Sequence, residues 1–239
     1  FERFGMKHFP FWAGGTLAIV LIATMKLPDV REPVAAHDAV KEPIGPVLRN
    51  PAVRWFFASL FFQVMSHFSV YAFFSLYLDS LGYGKSVIGL LRALSVVAEI
   101  VWFFLQGRLI GLLPMPRWML VCGIAAVARL GLTAGLGGSI AALVAAQWLH
   151  ALSFAAHHTT CIAVVSRRFP GRLRGRGQAL FTVIGYGFGG VLGVLLGGAV
   201  AQEFGYRTMF ALAALLAVAG SLCAWRVVKL ERMERALKA

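Results

Sequence analysis

Long apolar stretches recur along the chain and are separated by polar connectors, most of them short. A helix that crosses a membrane needs about 20 predominantly apolar residues, with a range of about 17–25. The pattern therefore predicts an all-α polytopic membrane protein with seven transmembrane helices. The predicted spans are 9–25, 52–78, 86–107, 118–136, 139–165, 178–202 and 206–225.

The connector between the first two predicted spans, residues 26–50, is longer and more polar than the others. It contains Pro28, Pro33, Pro43 and Pro46 among charges of both signs. Proline removes a backbone donor and interrupts helices, so this segment is not expected to be helical throughout. The chain is expected to divide into residues 1–25, a loop over 26–50, a membrane domain over 51–228 and a tail over 229–239.

Composition supports this interpretation, because 59% of the residues are hydrophobic and only 14% are charged. A net charge of +13 would suggest nucleic acid as the partner of a soluble protein. Here the basic residues lie in connectors and concentrate on one side, in 26–54, 108–117, 167–176 and 226–238. The positive-inside rule then places that side and the C-terminus in the cytoplasm. We expect the lipid bilayer as a partner and no nucleic acid.

The chain starts at Phe1, and no small-residue cleavage site follows its first apolar stretch. A signal peptide is therefore not expected, and the sequence is expected to begin partway through a longer protein. The cysteines Cys122, Cys161 and Cys223 lie inside apolar stretches, without metal-ligand spacing or a disulfide pattern. No metal site and no cofactor are predicted.

Two charged residues lie deep in adjacent predicted spans. Glu99 is in the third span and Arg129 is at similar depth in the fourth. A charge at the centre of a bilayer costs roughly 2.5–3.5 kcal/mol on insertion scales, so such residues are functional candidates by default. Because a short loop makes the two spans antiparallel, an ion pair between Glu99 and Arg129 is plausible. That pair would either take part in the function of the protein or only fix the register between the two helices.

The fifth span carries a polar stripe: Gln147, His150, Ser153 or Phe154, His157 and Cys161 recur at steps of three and four residues. This spacing places them on one helix face, which we expect to line a cavity. Histidine titrates near neutral pH, so His150 and His157 are candidates to pass protons. His158 is turned about 100° away from His157 and is expected to be structural.

Further polar residues lie in the second and third spans. Arg92 is seven residues before Glu99 on the same helix face, where it could attract an anionic solute or extend toward the outer interface. His67 and Gln63 lie four residues apart in the second span and could border the same cavity. The aromatic residues beside them are expected mainly to pack.

The sixth span carries a glycine ladder, Gly185, Gly189, Gly193 and Gly197, at four-residue steps. Small residues at this spacing let helix backbones approach closely, so the ladder predicts helix packing. No strand precedes these glycines, which argues against a nucleotide site. The sequence also lacks a nucleophile elbow, an HExxH motif and a Walker lysine, and no enzyme activity is predicted.

The stretch 167–180, the glycine ladder and residues 204–210 (Phe-Gly-Tyr-Arg-Thr-Met-Phe) together resemble the C-terminal half of a major facilitator superfamily transporter. The resemblance implies that residues 1–25 are the last helix of an N-terminal half that is otherwise missing. It makes 26–50 the central cytoplasmic loop and 51–228 the C-terminal six-helix bundle. Residues 77–83 and 88–104 look most like the phenylpropionate-permease group, which is related to lactose-type proton symporters.

In lactose-type permeases an acid, an arginine and a histidine act from the eighth, ninth and tenth helices. Glu99 resembles the acid, although it lies one turn away from the position that the acid has in that group. Arg129 and His150 match the arginine and the histidine. Ser153 stands where a second acid is expected. The resemblance thus implies a proton symporter of the cytoplasmic (inner) membrane for a small organic solute, such as an aromatic carboxylate or a sugar. Its proton-coupling residues would be Glu99, His150 and His157. Its substrate contacts would be Arg129, Arg92, Gln147, Ser153, His67 and Gln63.

Two alternatives remain open from the sequence. The first is a proton-driven exporter of the same fold. The second is a non-transporting membrane receptor or assembly protein, in which Glu99 and Arg129 would matter for stability alone. The partial chain by itself would be inert.

Overall fold

The computed structural model of the chain describes residues 9–26 and 43–237, and every regular element in these ranges is helical. The chain divides into two compact units, Phe1–Lys41 and Glu42–Ala239. In the first unit, the structure describes helix α1, Phe9–Met25. Most of the predicted loop over 26–50 lies outside the described residues.

The second unit consists of helices joined by short connectors. They are α2 (Gly45–Arg49), α3 (Pro51–Ser80), α4 (Lys85–Leu109), α5 (Met115–Gly135), α6 (Ile140–Trp148), α7 (His157–Arg168), α8 (Arg174–Phe181) and α9 (Gly190–Ala236). Two π-helical turns, Ala151–Ala156 and Thr182–Gly189, link α6 to α7 and α8 to α9 without a break. Short 3₁₀ turns, Ile110–Leu112 and Gly171–Leu173, follow α4 and precede α8.

The prediction of an all-helical membrane protein is confirmed, whereas the count of seven spans stays a prediction. Among the described residues, five helical segments are long and apolar enough to cross a membrane. They are Pro51–Ser80, Lys85–Leu112, Met115–Gly135, Ile140–Arg168 and Gly171–Ala236. Helix α1 is apolar but shorter, and the predicted spans 178–202 and 206–225 both fall within the last segment.

The start of α3 shows how the sequence sets a helix boundary. The side-chain oxygen of Asn50 accepts hydrogen bonds from the backbone N–H groups of Ala52 and Val53, at 2.8 and 3.4 Å. Pro51 occupies the first helical position, where its missing donor is not needed. Helix α3 spans 30 residues and packs against α9 and the π-helical turn that precedes it.

The glycine ladder of the last segment faces α3. A Cβ atom added at any of the four glycines would crowd α3, and at Gly193 it would overlap the α3 backbone, so the absence of side chains permits this close approach. The pairs are Gly185 with Leu60, Gly189 with Phe61, Gly193 with Met65 and Gly197 with Phe73. Residue numbers rise together along both helices, so this part of the last segment runs parallel to α3.

Beyond the ladder, the chain turns back at Gly205. This residue has φ 80° and ψ 164°, a backbone conformation that is available essentially to glycine alone. After it, Phe210 packs on Tyr77 with ring centroids 5.2 Å apart, and Ser59 donates a 2.9 Å hydrogen bond to the carbonyl of Gly220. Residue numbers now run in opposite directions along the two helices. The last segment therefore contains two legs that pack on α3 with opposite polarity.

Candidate functional site

A cluster of polar side chains lies inside the second unit, where α3, α4, α5 and the α6–α7 run meet. It joins five of the residues that the sequence singles out: His67, Glu99, Arg129, His150 and Ser153. Each residue comes from a helix that is otherwise apolar, and all of them except Glu99 are buried. The fold thus concentrates these polar groups in one place.

Arg129 is the most deeply buried cation of the described residues, with 2% of its surface exposed. Its Nη1 atom lies 3.4 Å from Nδ1 of His67 and 3.4 Å from Oγ of Ser153. Arginine only donates hydrogen bonds, so in this contact Nδ1 of His67 is the acceptor and the ring proton is on Nε2. That Nε2 atom is buried and makes no hydrogen bond with any described residue. Arg129 and His67 therefore present donors to the interior of the bundle.

No carboxylate of the described residues lies within 4.0 Å of Arg129, so the ion pair expected between Arg129 and Glu99 is not formed in this structure. Instead, Oε2 of Glu99 lies 3.5 Å from Nε2 of His150. The Glu99 side chain keeps 25% of its surface exposed, whereas His150 is buried. The pair between Glu99 and Arg129 was expected because the two residues lie at similar depth in adjacent helices. Depth does not decide the direction in which a side chain points around its helix. Packing directs Glu99 to the neighbouring α6–α7 run.

The π-helical turn Ala151–Ala156 shapes this side of the cluster. It carries Ser153, which contacts Arg129, and the adjacent Phe154, whose ring contacts both His67 and His150, while the two histidine rings also contact each other at 5.3 Å. The Phe154 ring is 4.7 Å from His67 at an angle of 15°, and 5.1 Å from His150 at 8°. Tyr71 packs edge-on against His67 at 4.7 Å. A π-turn is frequent at functional sites, and here the wider turn brings both side chains into the cluster.

The remaining predicted residues do not bond to Arg129 or Glu99. Arg92 donates hydrogen bonds to the carbonyl of Tyr71 at 2.8 Å and to Ser75 at 3.3 Å, which ties α4 to α3. His157 contacts the thiol of Cys161, one turn along its own helix, at 3.5 Å. Gln63 and Gln147 are buried, and neither side-chain amide is hydrogen-bonded to a described residue.

Two features of the interior were not predicted from the sequence. The first is the contact of the Phe154 ring with both His67 and His150, because an α-helical pattern does not show where a π-turn falls. The second is the hydrogen bond between Nδ1 of His158 and the hydroxyl of Tyr186, at 2.9 Å. This bond agrees with the structural role expected of His158. In the sequence, the one signal for this role of Tyr186 is that it is a polar aromatic residue inside the Gly-rich span.

The fold and the buried polar cluster define the class of this chain: a multi-pass helical membrane protein that holds ionisable groups in its interior. The model of the MFS_1 like family matches residues 10–212, and the chain belongs to this family of the major facilitator superfamily. It is also similar to the probable 3-phenylpropionic acid transporter of Escherichia coli (strain K12), with 27% identity over 148 residues. That match covers 62% of this chain and 38% of the relative. Family membership points to a membrane transporter and not to an enzyme.

Proposed function

We propose that the whole protein is a secondary active transporter that couples inward movement of a small organic solute to protons, by alternating access. The described bundle would form one wall of the solute pathway. Transporters of this type bind their solute between two halves and rock around that site. The observation that carries the proposal is buried Arg129, which has no carboxylate partner among the described residues, beside the pair of Glu99 and His150.

Electrostatics favour an anionic group as the ligand of Arg129. A guanidinium in a medium of low dielectric is costly unless an opposite charge compensates it, and planar carboxylates match its donors in a bidentate arrangement. The ring proton of His67, on Nε2, adds a donor beside it. We assign Arg129, His67 and Ser153 to the solute carboxylate.

The rings beside Arg129 favour an aromatic solute over a sugar. The rings of His67, Phe154 and His150 are nearly parallel, and Tyr71 stands edge-on to His67 and Phe154, so the walls next to the cation are flat ring faces. Aromatic rings gain from offset or edge-on packing against such walls. The relative named as a 3-phenylpropionic acid transporter supports the same class, an aromatic carboxylate.

We assign the binding of the coupled proton to the pair of Glu99 and His150. A carboxylate and an imidazole 3.5 Å apart can hold one additional proton on either group, and Glu99 is the member of the pair that is partly exposed from the described bundle. His157 directly follows the π-helical turn as the first residue of α7 and is assigned as an accessory relay. Solute and proton would communicate through Ser153 and Phe154, adjacent residues that contact Arg129 and His150 respectively.

Transport in right-side-out membrane vesicles tests both assignments. Labelled 3-phenylpropionate is the probe, and an imposed proton gradient is the driving force. Arg129→Gln should lower the apparent affinity for 3-phenylpropionate in the uptake assay by about 30-fold or more. Losing one partner of a buried charge pair costs roughly 2–5 kcal/mol. Arg129→Lys should recover part of this affinity, and Arg207→Gln, at an exposed arginine of the same chain, should leave uptake unchanged.

Glu99→Gln separates the proton step from solute binding. A neutral side chain here mimics the protonated acid, so the variant should exchange solute across the membrane but not accumulate it. Glu203→Gln, at an exposed acid, is the matched control. Normal accumulation by Glu99→Gln would contradict the proton assignment. Accumulation in inverted vesicles only would show an exporter, and unaltered solute binding by Arg129→Gln would favour a structural role.

A further inference from the structure

A second site lies away from the polar cluster, on the outside of the bundle. Helix α5 and the leg of α9 after Gly205 form an open groove of about 480 Å³. Its walls are almost wholly apolar and include Leu120, Ile124, Val127, Val218, Leu222 and Trp225. The groove continues into a second one that shares Leu120, Ile124 and Trp225 and adds the basic residues Arg117, Lys229 and Arg232. One continuous surface thus changes from apolar to cationic.

The three basic residues are not neutralised by the described part of the chain. Arg117, Lys229 and Arg232 are exposed, and none of them pairs with a described acid within 4.0 Å. The acids nearest in sequence, Glu231 and Glu234, bind cations on another face of the helix. The end of the groove therefore carries three positive charges that no described acid compensates.

The spacing along the helix matches one leaflet of a bilayer. From Val218 to Trp225 is seven residues, or roughly 10 Å, which fits within half of a hydrocarbon core about 30 Å thick. Lys229 and Arg232 lie roughly 6 and 10 Å further along the helix. The Lys229 ammonium sits 4.3 Å from the centre of the Trp225 ring, so an aromatic residue of the kind found at interfaces lies at the change from apolar to basic.

We propose that this groove binds an anionic phospholipid. One acyl chain would lie between α5 and α9 against Ile124, Val218 and Leu222, and the phosphate would contact Arg117, Lys229 and Arg232. The charge complementarity of three unpaired cations selects an anionic headgroup, and the apolar continuation selects a lipid over a free phosphate. Basic pockets between transmembrane helices are a recognised form of lipid site.

Native mass spectrometry of the whole protein in detergent tests the proposal with phosphatidylglycerol, phosphatidylcholine and glycerol phosphate as probes. Phosphatidylglycerol should remain bound and phosphatidylcholine should not. The triple variant Arg117→Gln, Lys229→Gln, Arg232→Gln should lose about 100-fold in affinity, because each basic residue near anionic lipid contributes about fivefold. The control variant Arg54→Gln, Arg172→Gln, Arg174→Gln removes the same charge from exposed positions elsewhere and should bind normally.

A second variant tests the apolar part of the site without changing charge. Leu222 is exposed, so Leu222→Trp should fill the groove, leave the fold intact and reduce phosphatidylglycerol binding. Equal losses in the two triple variants would show diffuse surface attraction and overturn the proposal. Displacement of the lipid by glycerol phosphate, or full binding by Leu222→Trp, would reduce the site to an anion contact without an acyl groove and would also overturn it.

Discussion

Glu231 connects the ends of two helices, and its replacement by glutamine should be costly. The carboxylate is buried, with 7% of its side chain exposed, and it binds Arg167 at 2.7 Å, Arg168 at 2.9 Å and Arg235 at 3.4 Å. The arginines differ in exposure: 20% for Arg168, 62% for Arg235. Glu231 thus ties the end of α7 to the end of α9.

The size of the effect follows from these exposures. Breaking a buried ion pair costs roughly 3–5 kcal/mol, whereas exposed pairs contribute about 0–1 kcal/mol. Glu231 has one well-buried partner, Arg168, and two that are more exposed. We therefore expect Glu231→Gln to lower the free energy of unfolding by about 2–4 kcal/mol. Arg168→Gln should cost more than Arg235→Gln.

Unfolding of the whole protein by SDS in mixed micelles, followed by tryptophan fluorescence, measures this free energy. Glu234→Gln is the matched control, since its carboxylate is more exposed and binds Arg168 at 3.3 Å. That variant should lose about 1 kcal/mol or less. A Glu231→Gln loss as small as that of Glu234→Gln would refute the reasoning, as would equal effects of Arg168→Gln and Arg235→Gln.

Three further predictions use the same unfolding measurement or the uptake assay. Gly193→Ala should lower the free energy of unfolding by about 1–3 kcal/mol, because a Cβ there would overlap the α3 backbone at Met65. Gly131→Ala, where a Cβ meets open space, should be neutral or stabilising by up to about 1 kcal/mol, and equal losses at both sites would contradict the packing argument. Gly205→Ala should cost about 1–3 kcal/mol through backbone strain alone, since nothing lies near its Cβ position; an unchanged unfolding curve would rule the strain out. Phe154→Leu should keep the fold but reduce 3-phenylpropionate uptake at least about tenfold, because the ring that contacts both His67 and His150 is lost; wild-type uptake would show that this ring does not contact the solute.

Several features follow from the sequence because they depend on local properties of the chain. Stretches of about 20 apolar residues identify the helices, since backbone groups in lipid must be hydrogen-bonded within their own segment. The glycine ladder identified a helix that approaches a neighbour closely, and α3 proved to be that neighbour. The cost of burying Glu99, Arg129 and His150 in hydrocarbon marked them as the residues to examine.

The partners of those residues were decided by the tertiary structure. Position along a span predicts depth in the membrane, but each residue also turns the side chain by about 100°, and packing sets that rotation. Glu99 therefore faces His150 and not Arg129, although both lie at similar depth. The π-turn that brings Ser153 and Phe154 into one cluster likewise has no signature in an apolar pattern. Sequence determined which ionisable residues lie inside the apolar stretches, and packing between helices determined what each of them meets.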